Sequence, residues 1–153
     1  METPKHPGRN LFVNIPVKDL DQSIAFYTEL GFTFNPLFSD ENGTCMLVGE
    51  QAFFMLLKKE RFDEFAKDRG ITDLEFRPAG GFAFSVESRE EVDGIMERAV
   101  ANGGIDVDDT QDLGFMYSRG FDDPSGHRFD VMWMDPAAVE AGPETHATET
   151  ANA

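Results

Sequence analysis

Residues 12–31 read FVNIPVKDLDQSIAFYTELG, and the same pattern returns at residues 81–104 as GFAFSVESREEVDGIMERAVANGG. A shift of 69 residues places Val17 on Val86 and Phe26 on Ile95. Each copy has a short run of β-type residues, a helix start and an amphipathic helix closed by glycine. A repeat of this length predicts two similar supersecondary units around one core, with their junction a natural place for a ligand.

Both predicted helices begin with a capping residue. Asp19 precedes the first helical run and Ser88 precedes the second. Gln22 and Glu91 follow three residues later, which is the spacing of a capping box. The apolar residues of each helix then recur at helical spacing, and each helix ends at glycine. We therefore expect the two helices to start within about two residues of Asp19 and Ser88.

Shorter apolar runs follow each helix, and turn signals separate them. Asn42-Gly43 lies between the last two runs of the first half, and Asp123-Pro124-Ser125-Gly126 lies between the last two runs of the second. The runs are residues 32–38, 44–49, 52–58, 105–107, 114–121 and 127–134. Each half is therefore predicted to have the order βαβββ, which gives an α+β fold.

The remaining segments connect or flank these two halves. Residues 60–70 predict a short helix whose Phe62 and Phe65 pack inward, followed by an irregular bridge at 71–80. Both ends of the chain lack the apolar area needed to offset the entropy of ordering. The predicted organisation is a flexible N-terminus at 1–10, one domain at 11–134 built from modules 11–58 and 81–134 with connector 59–80, and a disordered acidic tail at 135–153.

Composition limits the classes of partner. The chain has 13 basic and 29 acidic residues, a formal net charge of −16. We therefore expect no binding to nucleic acid or to an anionic membrane, because both need clustered Lys and Arg. The sequence shows neither the apolar segment of a signal peptide nor a run approaching about 18 apolar residues. Cys45 is the only cysteine, so an internal disulfide is impossible and a cytoplasmic location is expected.

Two longer motifs carry a family resemblance. The segment LFVNIPVKDLDQSIAFYTELGF and the closing segment GFDDPSGHRFDVMWMD, in this order and at this spacing, resemble the glyoxalase/bleomycin-resistance/extradiol-dioxygenase (vicinal oxygen chelate) superfamily. The likeness covers roughly residues 11–134 and is closest to bacterial proteins labelled "predicted lactoylglutathione lyase". It implies two modules that form a curved eight-strand mixed sheet with helices outside, and a homodimer.

The resemblance also implies four metal-ligand positions, which the superfamily's metal enzymes fill with His, Gln or Glu. They correspond here to Phe12, Met55, Gly81 and Asp130. Phenylalanine has no donor atom, glycine has no side chain, and a thioether is a poor ligand for Zn²⁺, Ni²⁺, Mn²⁺ or Fe²⁺. Only Asp130 suits such a metal, and His127 is the only histidine inside the predicted domain. We therefore predict no metal and no cofactor.

Strand alternation gives an independent picture of the cleft. Val13, Ile15 and Val17 are expected to face the helix layer, which leaves the residues between them on the concave side. A largely apolar lining with a few polar groups is typical of a small-molecule pocket. The predicted ligand-binding residues are Phe12, Asn14, Met55, Arg128, Asp130 and Met132, with Tyr117 and Arg119 at the rim.

Several of these residues have a structural alternative. Arg128 and Asp130 either form an ion pair with each other or contact the ligand. His127 is either a solvated turn residue or a catalytic group. Arg119 either presents its guanidinium to an anionic ligand or joins a surface or inter-module pair. Cys45 is expected to be buried and inert.

Two classes of function remain. The first is a module that binds a small, partly apolar molecule between its two halves without transforming it. The second is an enzyme, either a metal-dependent isomerase of the lactoylglutathione lyase type or a relative with a shifted metal site. The second needs a metal that polarises the enediolate oxygens. The residues at the metal-ligand positions favour binding, because three of the four cannot hold a metal. Membership of an enzyme fold does not by itself establish catalysis.

Overall fold

The computed structural model describes residues 2–66 and 80–141, which contain nine strands and four helices. The order of elements repeats the predicted βαβββ pattern in each half, with a helical connector between the halves. The elements are β1 Leu11–Val17, α1 Leu20–Glu29, β2 Thr33–Asp40, β3 Gly43–Gly49, β4 Ala52–Lys58, α2 Lys59–Ala66, β5 Gly81–Val86, α3 Arg89–Ala101, β6 Ile105–Asp106, β7 Gln111–Asp112, β8 Met116–Asp122, β9 Arg128–Met134 and α4 Pro136–Ala141.

The strands form two sheets with matching topology. The first sheet has the order β1-β4-β3-β2, and the second has the order β5-β9-β8-β6 with β7 also paired to β8. In each sheet the first strand of the module runs parallel to the last, with Asn14 opposite Met55 and Ala83 opposite Asp130. The strands at 12–17 and 82–86 are therefore equivalent, as the repeat predicts.

The expected single eight-strand sheet is not what the chain forms. β1 and β5 are edge strands of separate sheets and are not hydrogen-bonded to each other. The two-residue strand β7 adds a ninth strand through its pairing with β8. The repeat predicts the content of each module correctly, but how the modules join depends on contacts that a repeat does not encode.

Both helix starts are confirmed. The Asp19 side chain accepts a hydrogen bond from the backbone N–H of Gln22, and the Ser88 hydroxyl accepts one from the N–H of Glu91, each at 3.0 Å. These bonds satisfy amide donors that the first turn of a helix leaves without partners. Gly31, just after α1, adopts a φ of +99°, a left-handed conformation that glycine adopts without steric cost.

One hydrophobic core joins both modules. The ring of Phe54 in β4 lies 5.1 Å from that of Phe82 in β5 and 5.4 Å from that of Phe129 in β9. Phe26 of α1 contacts Phe121 of β8 at 5.8 Å, so the first helix packs on the second module. One face of each sheet contributes to the same cluster, and the other face of each sheet points away from it.

A buried turn between β8 and β9 also ties the modules together through polar contacts. The Tyr27 hydroxyl donates to the Asp123 carboxylate at 2.7 Å, and the Ser125 hydroxyl accepts from the backbone N–H of Lys18 at 2.9 Å. His127 is fully buried, and its Nε2 lies 2.5 Å from the carbonyl oxygen of Pro16. The alternative that His127 is a solvated turn residue is therefore wrong, because the ring is fully buried and bridges to the first module.

The flanking segments differ in part from expectation. The predicted connector helix is present as α2, and Phe62 is half-buried, while the side chain of Phe65 and residues 67–79 lie outside the described residues. The tail predicted to be disordered begins instead with α4, whose Ala138 is buried. The Asp135 side chain accepts the N–H of Ala137 and starts this helix. The rest of that tail lies outside the described residues.

Cys45 is a free thiol with 1% of its surface exposed, which confirms that it is buried. In the part of the chain that the structure describes, no helix is both long enough and apolar enough to cross a membrane.

Substituting Tyr27 by Phe should lower the free energy of unfolding by about 1–3 kcal/mol, because the buried Asp123 carboxylate loses a donor. Tyr117→Phe is the matched control: its hydroxyl donates to Asp93 at 2.7 Å in a more exposed setting, so its effect should be smaller. Urea denaturation of both variants measures the difference. Equal effects would contradict the role given to the buried bond.

The same pair predicts an alkaline effect. Burial, followed by the Asp123 charge, raises the pKa of Tyr27 well above 10.0 in the folded protein. The folded state then holds a proton that the unfolded chain releases above about pH 10, so stability falls as the pH rises beyond that value. Urea denaturation across this range should show a steeper fall for the wild type than for Tyr27→Phe.

Candidate functional site

The first outer face is the side of the first sheet that points away from the core. It includes Phe12 and Asn14 of β1 and Phe53 and Met55 of β4. The rings of Phe12 and Phe53 are stacked, with centroids 5.0 Å apart, and Phe12 is 51% exposed. This face offers a flat aromatic surface beside the Asn14 amide, which suits contact with an apolar group.

The second outer face is the corresponding side of the second sheet. Its residues alternate with the core residues Phe121, Phe129 and Val131 along β8 and β9. Methionines lie toward one end and charged groups toward the other. The face consists of Gly81, Ala83 and Ser85 of β5, Arg128, Asp130, Met132 and Met134 of β9, and Met116, Ser118, Gly120 and Asp122 of β8.

The charged end of the second outer face contains one ion pair, and its partner is not the expected one. The Arg128 guanidinium donates to Asp122 at 2.6 and 3.3 Å. Asp122 lies directly opposite Arg128 on the neighbouring strand, which is closer in a sheet than a residue two positions away on the same strand. The alternative of an Arg128–Asp130 ion pair is therefore wrong.

Asp130 is left without a direct partner. Among residues 2–66 and 80–141, no hydrogen bond or ion pair reaches its carboxylate, which is partly buried. The oxygen lies over Gly120: a Cβ added there would meet Asp130 Oδ1 at 2.7 Å and Val107 at 2.9 Å. Partial burial and the charge of Asp109 raise the pKa of Asp130 above its usual value, while Arg128 opposes the shift. Glycine at position 120 therefore allows a carboxylate to lie on the sheet.

Tyr117 and Arg119, expected at the rim of the cleft, lie on the other side of the second sheet. Both face α3, where the Tyr117 hydroxyl and the Arg119 guanidinium share the carboxylate of Asp93 at 2.7 and 3.0 Å. Arg119 also binds Asp106 at 2.8 Å. Arg119 is thus taken up by structural ion pairs, which was one of the two alternatives.

The remaining predicted site residues fall into two groups, one on each sheet. Phe12, Asn14 and Met55 lie on the first outer face, whereas Arg128, Asp130 and Met132 lie on the second. Three residues of the second outer face were not among the predicted site residues: Ser118, Gly120 and Asp122. Because Phe121 faces the core, alternation along β8 would have placed them on the outer face.

The four positions implied for a metal do not fit one. Phe12 and Met55 lie on the first outer face, and Gly81 and Asp130 lie on the second, so the only carboxylate has no suitable donor beside it at these positions. Within the described ranges, no group of three or more His, Cys, Asp or Glu side chains is arranged to hold a metal ion. Divalent metals need several N, O or S donors converging on one point.

Known proteins share this architecture. The family described as bleomycin resistance protein-like N-terminal matches residues 9–49. A hypothetical protein from S. aureus superposes with a TM-score of 0.69 at 25% identity, covering 81% of this chain and 92% of that one. A glyoxalase/bleomycin resistance protein/dioxygenase family enzyme from Burkholderia phytofirmans PsJN gives a TM-score of 0.68 at 18% identity, covering 80% and 96%. These findings support the vicinal oxygen chelate superfamily.

Another solved structure, a glyoxylase/bleomycin resistance protein/dioxygenase domain from Frankia sp. EAN1pec, is 27% identical with a TM-score of 0.59. It covers 82% of this chain and 90% of that one. No protein of curated function matches the sequence significantly. The similarity therefore supports the fold, and the chemistry depends on the residues of the two outer faces.

Replacing Asp130 by Asn should stabilise the unliganded protein at neutral pH by up to about 1 kcal/mol, since solvent screening limits the cost of a partly buried charge. The folded-state pKa is raised, so this cost is absent below about pH 3.8 and appears as the pH rises through the folded pKa. Urea denaturation at acid and neutral pH measures it. Asp122→Asn, which weakens the Arg128 ion pair, should instead destabilise; a loss of stability for Asp130→Asn would mean that Asp130 has a structural partner.

Proposed function

We propose that the protein binds a small molecule that has an apolar body and a cationic or hydrogen-bond-donating head, without transforming it. The observation that carries this proposal is the Asp130 carboxylate, which is partly buried and has no direct partner among the described residues. A partly buried carboxylate is stabilised when an opposite charge or a hydrogen-bond donor pairs with it. Asp130 would accept the head of the ligand.

The side chains around Asp130 are suited to contact the apolar body of the proposed ligand. Met116, Met132 and Met134 share the second outer face with it. Methionine side chains are unbranched and polarisable, so they adapt to ligands of irregular shape. On the first outer face, the exposed ring of Phe12 stacked on Phe53 offers a surface for a flat or aromatic group.

The binding cleft is proposed to form between two copies of the chain. Each outer face points away from the shared core, and a second copy would bring a first outer face to a second one. Two features support such pairing: β1 and β5 each have a free edge within their sheets, and Phe12 on β1 is 51% exposed. Free edges and exposed apolar residues favour association.

Catalysis of the lactoylglutathione lyase type is the second candidate. It is favoured by the Burkholderia relative, which is described as an enzyme of the superfamily. Its metal would have to polarise the substrate oxygens, and the donors at Phe12, Met55, Gly81 and Asp130 do not fit a metal. Binding without chemistry therefore accounts better for the residues.

A thermal-shift screen of cationic aromatic compounds tests the head group. Ligands should raise the melting temperature of the wild type, and Asp130→Asn should weaken their binding by about 1–3 kcal/mol. Asp63→Asn, an exposed aspartate on α2, is the matched control because it makes the same change of charge and should bind as the wild type does. If Asp130→Asn binds every hit as tightly as the wild type, the site is not at Asp130.

A native mass spectrum of the purified protein tests the assembly and the metal together. We expect twice the chain mass of 17.1 kDa, since the proposed cleft needs two copies, and no added mass of a divalent ion. Addition of Zn²⁺ or Ni²⁺ before the measurement serves as the control for metal lost during purification. A monomer at tens of micromolar would overturn the two-chain cleft, and one tightly held metal per chain, lost on Asp130→Ala, would favour the enzyme.

A further inference from the structure

The segment before β1 forms a cavity of about 550 Å³. The backbone turns here, with the N–H of Arg9 donating to the carbonyl oxygen of His6 at 3.1 Å. The N–H of Leu11 then donates to the backbone carbonyl oxygen of Gln51 at 2.8 Å and ties the segment to the start of β4. Pro4 and Pro7 also line the cavity, and their restricted φ angles reduce the entropy lost when the turn is ordered.

Three of the eight residues that line this cavity are basic, in a protein whose net charge is −16. Lys5, His6 and Arg9 all line it, and residues 4–11 contain no acidic residue. None of the ion pairs formed by the described residues involves Lys5 or Arg9. The net charge of −16 does not cancel this local charge, because exposed charges farther away than about 8 Å are largely screened at physiological salt.

These groups have the chemistry of an oxyanion site. The guanidinium of Arg9 can present two parallel N–H donors to a carboxylate or a phosphate, and Lys5 adds a second positive charge. The amides of Asn10 and Gln51 line the same cavity and supply further donors. Leu11, 62% exposed, also lines the cavity and offers an apolar contact.

We propose that this N-terminal cavity binds the carboxylate or phosphate group of a small molecule whose apolar part lies against Leu11. The site is distinct from Asp130, which bears the opposite charge and lies on the second sheet. It does not depend on the proposed function, because it is built from residues of the N-terminal segment and the start of β4.

Calorimetric titration of the full-length protein with inorganic phosphate and with phenyl phosphate tests the proposal. Both should bind saturably, and phenyl phosphate should bind more tightly because its ring contacts Leu11. The double variant Lys5→Gln/Arg9→Gln should weaken phenyl phosphate binding by about tenfold or more, as expected for the loss of charge-assisted hydrogen bonds. Failure of phenyl phosphate to saturate would overturn the proposal.

The control for overall charge is the double variant Lys59→Gln/Arg98→Gln, which makes the same change on α2 and α3. It should leave the affinity within about twofold of the wild-type value, since screened charges elsewhere contribute little. Equal weakening by both double variants would show that the anion responds only to net charge, and would overturn a built site.

Two further measurements locate the anion and exclude a competitor. Phenyl phosphate should move the NMR signal of the His6 ring, assigned with His6→Gln, and leave that of buried His127 unchanged; the opposite pattern would contradict this location.

The acidic C-terminal residues are the other possible occupant. Glu144→Gln/Glu149→Gln should leave the affinity unchanged, and a rise in affinity would show that the chain's own tail fills the cavity instead.

Discussion

The arrangement of the two modules depends on the buried turn Asp123–His127. Apolar packing joins the modules, but it is non-directional and tolerates small shifts. The hydrogen bond from Tyr27 to Asp123 and the contact of His127 with Pro16 are directional and almost wholly removed from water. A shift of one module against the other would leave these groups unpaired at a cost of a few kcal/mol.

The carbonyl of Pro16 only accepts, so Nε2 of His127 carries the proton and Nδ1 faces the core, unpartnered among the described residues.

This arrangement decides what the outer faces of the sheets can do. The turn and the phenylalanine cluster hold the two sheets against one core, and the outer face of each sheet points away from it. The first carries aromatic rings, and the second carries methionines and a carboxylate. A ligand that needs both kinds of contact requires a second surface, which is the physical reason for proposing a cleft between two copies.

The ion pairs of the second module explain why Asp130 stands apart. Arg89 binds Asp112 and lies over the rings of Tyr117 and Trp133, each 5.2 Å away. Arg119 and Arg128 are held by other aspartates. Each of these arginines therefore supports the local structure, and none bonds directly to Asp130. The cations at the N-terminal cavity are the converse case, since they have no carboxylate partner in the described part of the chain.

The sequence by itself determined the two modules. Caps at Asp19 and Ser88, glycine after the helices and alternation along the strands are local features, so they predict the elements and which side chains share a face. The joining of the modules, the partner of Arg128 and the burial of His127 were decided only by the tertiary structure. Each depends on which strands or turns come together from distant parts of the chain, and neither periodicity nor composition contains that information.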